Sequence, residues 1–506
     1  MSNEIVSKNF TNPDTCYTTE EIIRRFYSLC DKVPKIFDKD GPIYHTWIRF
    51  QVGSKNNSKA VTFNTDSNNP NENLITSLSV TKSGTNQANT FTLNIYYDPF
   101  NHGQETVKNQ IEELDEILAN TMSLDIESNT DELKGILQYG YVTDSDTDLA
   151  SPKYEFILTD VKSNVDCATG ITNYSFTGTT TLAMDCEFKT HFDKIEKGTW
   201  KFMDVILWTL YYHYGDVDNP PTHITGTPSE GANNFKYRID CSEDLYNDSL
   251  QNNDWEGTDA VEDMSPWQYC IKLLNENPLT KSEKQSGKYD DWDNLDSTKK
   301  PYYCMYFTET DKVKTIHIVH VSPGSDSDIY KTTNLQSLVP TITWGMQQSN
   351  IAIKWNPSVD TKTYLIRKAL VNRTMEKFNK GEYSFDKLKE KDNITSDIVK
   401  IFSRDNIDLQ PSLIEEFDAE LTLVGMPCDI PINSKLRIVP RILESFSRTA
   451  GTYIVKGATD TIDTSGLYTT TIQLFRIGNL NEDDLKQQYS TYNDWYKATY
   501  NEEPKE

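Results

Sequence analysis

The chain has 506 residues, 36% hydrophobic and 25% charged, which is enough for about three or four domains with buried cores. Acidic residues outnumber Lys and Arg by 76 to 50, which gives a net charge of −26. This charge argues against a protein that binds nucleic acid, since phosphate binding needs a cationic surface. No stretch approaches the roughly eighteen consecutive apolar residues of a membrane-spanning helix, so we expect no membrane partner.

The amino terminus, Met1-Ser2-Asn3-Glu4, lacks the charged-then-apolar pattern of a secretory signal. We therefore expect synthesis in a cytoplasm. The eight cysteines are scattered, with no CxxC pair and no His-Cys cluster, and are expected to be free, buried thiols.

An amphipathic helix is predicted near the amino terminus. Thr18 to Glu21 has the spacing of a capping box, and apolar side chains follow at helical intervals as far as Pro34, which is expected to end the helix soon after. We interpret residues 1–40 as an N-terminal arm that carries this helix.

The first β segment, residues 41–190, is predicted to hold several short strands and one helix. Strands Leu74 to Val80 and Thr90 to Ile95 are separated by a polar loop, Thr81 to Asn89. A helix is predicted from Glu105 to Ala119, where apolar residues form a stripe. Two strand pairs follow: Leu137 to Val142 with Tyr154 to Leu158, and Val161 with Asn173 to Gly178. Short strands at this spacing favour a small sandwich or barrel.

Residues 191–335 have the pattern of a mixed α/β middle region. A helix rich in Trp and Tyr is predicted from Lys201 to Tyr214, and another is capped by Ser265 with Pro266 in its first turn. Lys281 to Lys300 is almost without aliphatic side chains and is expected to be an irregular, mobile excursion. Two strands follow it, Pro301 to Phe307 and Lys314 to Val321.

A second β segment, residues 336–480, is predicted to contain a helical insertion at 363–413. Glu420 to Val424 alternates polar and apolar side chains and stops at Gly425. The last hairpin turns at Ser465-Gly466, between strands Ile454 to Ala458 and Thr469 to Phe475. Residues 481–506 are interpreted as a polar tail. The predicted fold is therefore α+β and β-rich, with two sets of short strands that each favour a small sandwich or barrel, a mixed middle region and helical insertions.

Motifs for catalysis or metal binding are incomplete. Asp144-x-Asp146-x-Asp148 with Glu155 has the ligand order of a calcium loop, but Leu149 stands at the glycine position and the flanks have a strand pattern, so an acidic hairpin tip is predicted. His317 and His320 fall on opposite faces of one strand and cannot share an ion. There is no GxSxG elbow, phosphate loop or HExxH. We predict no catalytic residue, no cofactor and no metal.

Four segments of the second β segment resemble the terminal barrel of phage baseplate central hub proteins: Leu421 to Pro427, Ser434 to Ile438, Gly451 to Val455 and Gly466 to Leu474. Asn86, Ala88, Asn89 and Phe91 resemble the first barrel of the same family. The resemblance covers about Gly41 to Asp185 and Leu335 to Ile477. It implies that each set of strands forms a small tail-tube-like β-barrel, so that the chain has two such barrels.

The resemblance further implies a structural, non-enzymatic virion protein. Three copies would form a ring in the tail baseplate that adapts the six-fold tail tube to a three-fold central spike. Expected partners are the chain itself as a homotrimer, the tail tube, central spike, tape measure and baseplate wedge proteins. Tape measure and DNA would pass along an axial channel during genome ejection, and the acidic surface would repel the DNA rather than bind it. Assembly would take place in the host cytoplasm.

Two loops are candidates for contacts with a neighbouring ring or subunit under this resemblance. Their residues are Thr81, Ser83, Asn86 and Asn89 in the first, and Asp460, Asp463, Ser465 and Gly466 in the second. Two alternatives stay open: a carbohydrate-binding tail adhesin, indicated by 11% aromatic residues and by the Trp200 to Tyr214 cluster, and a peptidoglycan hydrolase, which some hub assemblies carry.

Overall fold

The computed structural model places six helices and eighteen strands in the residues it describes. The described residues are 19–36, 45–54, 60–65, 73–83, 89–121, 133–142, 149–180, 198–214, 238–241, 243–249, 251–255, 264–292, 300–310, 314–322, 341–344, 352–355, 419–440 and 451–478. The predicted insertion at 363–413 and tail at 481–506 lie outside them.

The helices are α1 (Thr19–Ile36), α2 (Glu105–Thr121), α3 (Phe202–Tyr214), α4 (Glu243–Asn247), α5 (Pro266–Glu276) and α6 (Lys281–Gln285). The strands are β1 (His45–Ser54), β2 (Ala60–Asn64), β3 (Ile75–Ser83), β4 (Thr90–Tyr97), β5 (Leu133–Val142), β6 (Tyr154–Val165), β7 (Thr172–Thr179), β8 (Gly198–Lys201), β9 (Arg238–Asp240), β10 (Gln251–Trp255), β11 (Tyr302–Glu309), β12 (Lys314–Val321), β13 (Thr341–Trp344), β14 (Ala352–Trp355), β15 (Ala419–Val424), β16 (Lys435–Pro440), β17 (Gly451–Ile462) and β18 (Tyr468–Gly478).

One 13-stranded sheet contains both predicted β segments. Strands β1 to β7, here called the first module, run in the order β3-β4-β7-β6-β5-β1-β2 with every pair antiparallel. Strands β13 to β18, the second module, run β14-β15-β18-β17-β16, with β13 parallel to β16. The β-rich α+β class is confirmed. The two modules share this one sheet, because β17 of the second pairs with β3 of the first.

The same five-strand path occurs in both modules, with the same registers. The path β3-β4-β7-β6-β5 corresponds to β14-β15-β18-β17-β16, and all four ladders superimpose pair by pair. Across the first module Leu78 is opposite Leu93 and Leu93 opposite Phe176; across the second Ile353 is opposite Leu421 and Leu421 opposite Ile472. Both long hairpins have a register shift at the equivalent place, after Leu158 and after Val455, and the second hairpin has another after Thr452. The chain therefore uses one strand arrangement twice.

The inward side of the first module is an aromatic core. Phe50 lies 5.7 Å from Phe91 and 5.2 Å from Phe176 between ring centroids, and Phe156 lies 4.6 Å from Phe91. All four are buried, and each contributes about 1.5 to 3 kcal/mol by leaving water. The apolar stripe of α2 is buried as predicted, and the helix lies against β1 and β2.

A three-stranded sheet, β11-β12-β9, forms the middle of the chain together with α3 and α5. Every residue of β11 is buried because this strand is covered on both faces. Tyr303, Met305 and Phe307 share a core with the helices, whereas Tyr302 and Cys304 pack with Ile454 of β17. The middle sheet thus joins the helices to the 13-stranded sheet.

Several boundaries differ from the sequence predictions. Helix α1 is not one of them, since it ends at Ile36, two residues past Pro34. The stretch after Pro278 begins with helix α6, because Thr280 and Glu283 form a capping box that the sequence reasoning overlooked. Cys167 is exposed rather than buried, since it lies in the tight turn between β6 and β7. Among the described residues, no helix is both long and apolar enough to cross a membrane.

Candidate functional site: the seam between the modules

The two modules meet at a seam, defined as the antiparallel pairing of β3 with β17. Six register pairs form it, from Gly457 opposite Ser83 to Ile462 opposite Leu78. The first part of β17 pairs with the shorter strand β16, and β17 continues beyond it. Strand β3 pairs with this second half of β17, which β16 leaves uncovered.

A buried ion pair lies at the seam. We use the name latch for Lys82, Asp460 and Asp429 together with the hydroxyl groups that bond to them. Lys82 Nζ is 3.0 Å from Asp460 Oδ2 and 3.9 Å from Asp429 Oδ1, and it donates a 2.7 Å hydrogen bond to the Cys428 carbonyl. The Lys82 and Asp460 side chains are 3% and 1% exposed. Charges this deep are tolerated only when they are paired and hydrogen-bonded.

Hydroxyl groups from both modules complete the latch. Tyr139 of β5 donates to Asp460 Oδ2 at 2.6 Å, and Thr470 of β18 donates to Asp460 Oδ1 at 2.5 Å. Tyr154 of β6 donates to Asp429 Oδ1 at 2.9 Å. In the sheet order β5 lies five strands from β17, so its contact with Asp460 requires the first module to curl back over the seam. The curl gives the sheet the form of a half-barrel.

The latch shifts the ionisation of its members. Burial by itself lowers the pKa of Lys82, but the charges of Asp460 and Asp429 outweigh it, so the pKa is raised and the ammonium is favoured. Burial and the Asp460 carboxylate raise the pKa of Tyr139 well above its usual value. Burial also raises the pKa of the Cys428 thiol to about 12, which makes it unreactive. The site holds fixed charges and neutral hydroxyls at neutral pH.

The middle sheet contacts the seam through polar side chains. Lys456 of β17 donates to the Tyr302 hydroxyl at 2.9 Å. Asn89, at the start of β4, donates to the Phe307 carbonyl at 3.3 Å. Lys314 of β12 is 3.5 Å from Glu155 of β6. Both modules are therefore held against one middle sheet.

Helix α1 is attached by a second buried polar cluster. His317 Nδ1 lies 2.8 Å from Asp240 Oδ2, and Thr19 donates to the same oxygen from its backbone N and its hydroxyl at 2.7 and 2.8 Å. His320 points to the other face, 3.0 Å from the Pro278 carbonyl and 3.3 Å from Glu283. The prediction that the two histidines lie on opposite faces is confirmed. In the part of the chain that the structure describes, no group of three or more His, Cys, Asp or Glu could hold a metal ion.

The structure places the residues of the first predicted loop mostly elsewhere. Thr81 and Ser83 belong to β3, because this strand continues to Ser83 while pairing with β17, so the loop prediction is wrong for them. Asn89 is buried, and its Oδ1 accepts from the Ser83 amide at 3.1 Å. Asn86 lies outside the described residues.

The second predicted loop is partly a strand as well. Asp460 is a buried residue of β17 and belongs to the latch, so its assignment to the loop is wrong. Asp463, Ser465 and Gly466 do form the exposed turn: Asp463 Oδ1 accepts from Ser465 N and Leu467 N, and Gly466 has a φ of 78°. The Gly466 carbonyl accepts a hydrogen bond from Thr46 of β1. That this turn faces a neighbouring subunit stays a prediction.

Sequence reasoning did not single out Lys82, Asp429, Tyr139 or Tyr154. One signal was available, since Leu78, Val80 and Lys82 occupy alternate positions of one strand. A lysine at the next inward position of an apolar face indicates a buried charge that needs an acidic partner. The side chains of Trp200, Trp208 and Tyr211 to Tyr214, on which the adhesin alternative depended, lie outside the described part of the structure.

Comparison with known proteins gives structural neighbours only. The sequence matches no protein-family model and no curated protein sequence. A tail protein from Neisseria meningitidis MC58 is 10% identical with a TM-score of 0.36, over 84% of this chain and 96% of that one. The 43 kDa tail protein of prophage MuSo2 from Shewanella oneidensis is 9% identical with a TM-score of 0.39, over 85% and 98%. The Francisella PdpA-VgrG complex is 10% identical with a TM-score of 0.40, over 96% and 67%. The neighbours are thus tail proteins and a VgrG complex.

Proposed function

We propose that this chain is the structural central hub of a phage tail baseplate. Three copies form a ring that adapts the six-fold tail tube to a three-fold central spike. The observation that supports the proposal is the repeat of one five-strand path in two modules that lie side by side in a single sheet. Because each chain carries two equivalent modules, three chains present six.

The seam gives the proposed ring its stiffness. A buried ion pair with hydroxyl groups from β5, β6 and β18 fixes how the two modules meet, and the middle sheet contacts both. A hub needs such rigidity because it transmits force from the tube to the piercing spike. In this proposal residues 41–190 and 336–480 contact the tube, and residues 191–335 grip the spike.

The proposed axial passage needs an acidic wall rather than a binding site. With a net charge of −26, the chain repels DNA, which can then slide through without sticking. Tape measure protein and DNA pass through the ring, while tail tube and wedge proteins contact its outside. The hub carries out no catalysis and is assembled into the virion in the host cytoplasm.

The proposal is tested by the mass and shape of the purified full chain, alone and mixed with its tail tube and spike proteins. We expect a homotrimer in light scattering and class averages with six lobes around a channel when the spike is present. A chain that stays monomeric with both partners contradicts the hub. So does tight binding of the monomer to a glycan array, or release of muropeptides from cell walls, which would support the adhesin or the hydrolase.

A further inference from the structure

Each chain has two further strand edges that could form a second seam, and neither edge is paired within the described residues. In the first module β6 is the equivalent of β17, and like β17 it continues beyond the four register pairs that it makes with its neighbour. Pairing of β5 with β6 stops at Ile157, and no described strand pairs with that edge from Leu158 to Val165. The corresponding half of β17 is the half that pairs with β3.

The other half of the second seam is β14. This strand is the equivalent of β3, because Ile353 is opposite Leu421 as Leu78 is opposite Leu93. Strand β3 uses its second edge for β17, whereas β14 ends the sheet and no described strand pairs with its second edge. Among the described strands there is thus one open edge of each kind.

Exposure differs sharply between the two equivalent hairpins. Ile462, in the seam, is 3% exposed, while Val165, at the equivalent position of β6, is 51% exposed. Asp460 is buried, while Ser163 at its equivalent position is exposed. The outer half of β6 therefore has the surface expected of a seam strand whose partner is missing.

We infer that β6 of one copy pairs antiparallel with β14 of the next copy, repeating between chains the seam that β17 and β3 form within one. This inference rests on the proposed ring and names its subunit interface. The seam register transfers directly: Ser163 lies opposite Trp355 of the partner subunit, Asn164 opposite the partner's Lys354, and Val165 opposite the partner's Ile353.

The interface is head-to-tail, because the two edges belong to different strands. Heterologous interfaces of this kind generate closed rings when the rotation closes. Internal seams and seams between chains then alternate around the ring. The latch is not repeated between chains, since Ser163 stands where Asp460 stands in the internal seam. The joint between chains accordingly lacks the buried ion pair and separates more easily than the joint within a chain.

The register is tested by disulfide trapping in the full chain with Cys167 replaced by Ser. Opposite residues of antiparallel strands lie about 4.5 to 5.5 Å apart between Cα atoms, which allows a disulfide. We expect the pair Asn164→Cys and Lys354→Cys to give covalently linked oligomers on a non-reducing gel under conditions in which the ring forms. The pair Thr461→Cys and Ser79→Cys, opposite each other in the internal seam, is the positive control and should link within one chain.

Two comparisons decide the outcome. Thr461→Cys with Lys354→Cys is the matched negative control, because Thr461 is the β17 equivalent of Asn164 and is already paired. Val165→Asp should prevent ring formation, while Lys108→Asp, which places the same acidic group at an exposed position of α2, should not. A ring that forms without the 164–354 disulfide, or that survives Val165→Asp, overturns this inference and leaves the hub standing. Absence of any ring with the spike present overturns both.

Discussion

Replacing Lys82 by Met tests whether the latch holds the two modules together. The change removes the ammonium that lies 3.0 Å from Asp460 and 3.9 Å from Asp429. Both carboxyl groups stay buried, with side chains 1% and 6% exposed, so water cannot replace the lost partner. Breaking a buried ion pair from one side costs about 3 to 5 kcal/mol. We expect a loss of this size in the free energy of unfolding.

The assay is urea denaturation at neutral pH, combined with hydrogen exchange of the amides of β3 and β17. Exchange should accelerate along the seam first, because the seam loses its buried charge pair. Lys108→Met is the control: its partner Glu112 is 3.5 Å away, both side chains are more than 60% exposed, and such pairs contribute less than about 1 kcal/mol. If Lys82→Met costs no more than Lys108→Met, the role assigned to the latch is refuted.

Three further outcomes are expected. The pKa of Lys82 is raised above 10.5 in the folded chain, so the stabilisation by its ammonium is complete below pH 10.5 and is lost as the pH rises through the folded pKa. Between pH 10.5 and the folded pKa, the free energy of unfolding of the wild type should fall by up to about 1.4 kcal/mol per pH unit more than that of Lys82→Met, as measured by urea midpoints. Gly425→Ala would place a Cβ 2.0 Å from Tyr468 Cγ, and should cost about 1 to 3 kcal/mol and alter the near-UV circular dichroism; an unchanged spectrum and midpoint would contradict this packing. Ser265→Ala removes the capping box of α5 and should cost about 1 kcal/mol, against no measurable loss for the exposed Ser163→Ala.

Local features were predictable because they depend on neighbouring residues. The alternation of Phe91, Leu93 and Ile95 predicted β4, and all three side chains are buried. The turn at Ser465-Gly466 predicted the last hairpin, and the stripe on α2 predicted its buried face. Each of these signals lies within one helix or hairpin and follows from a period of 2 or 3.6 residues.

The prediction that a loop begins at Thr81 is wrong because the strand that pairs with this segment is distant in the sequence. Strand β3 extends to Ser83 because β17, far along the chain, supplies its hydrogen bonds and Asp460 pairs with Lys82. Nothing near Thr81 in the sequence encodes that partner. The same limit applies to Asp460, which looked like a turn residue among polar neighbours and is a buried member of the latch.

The sequence by itself determined that this chain builds two sets of short strands, because alternating side chains and turn residues act over a few positions. Only the tertiary structure decided that the two sets share one sheet, in matching registers, with a buried ion pair at their junction. Strand partners separated by 378 residues are chosen by edge complementarity and by burial of paired charges, which arise when the modules meet. The edges of β6 and β14 that no described strand covers became visible for the same reason.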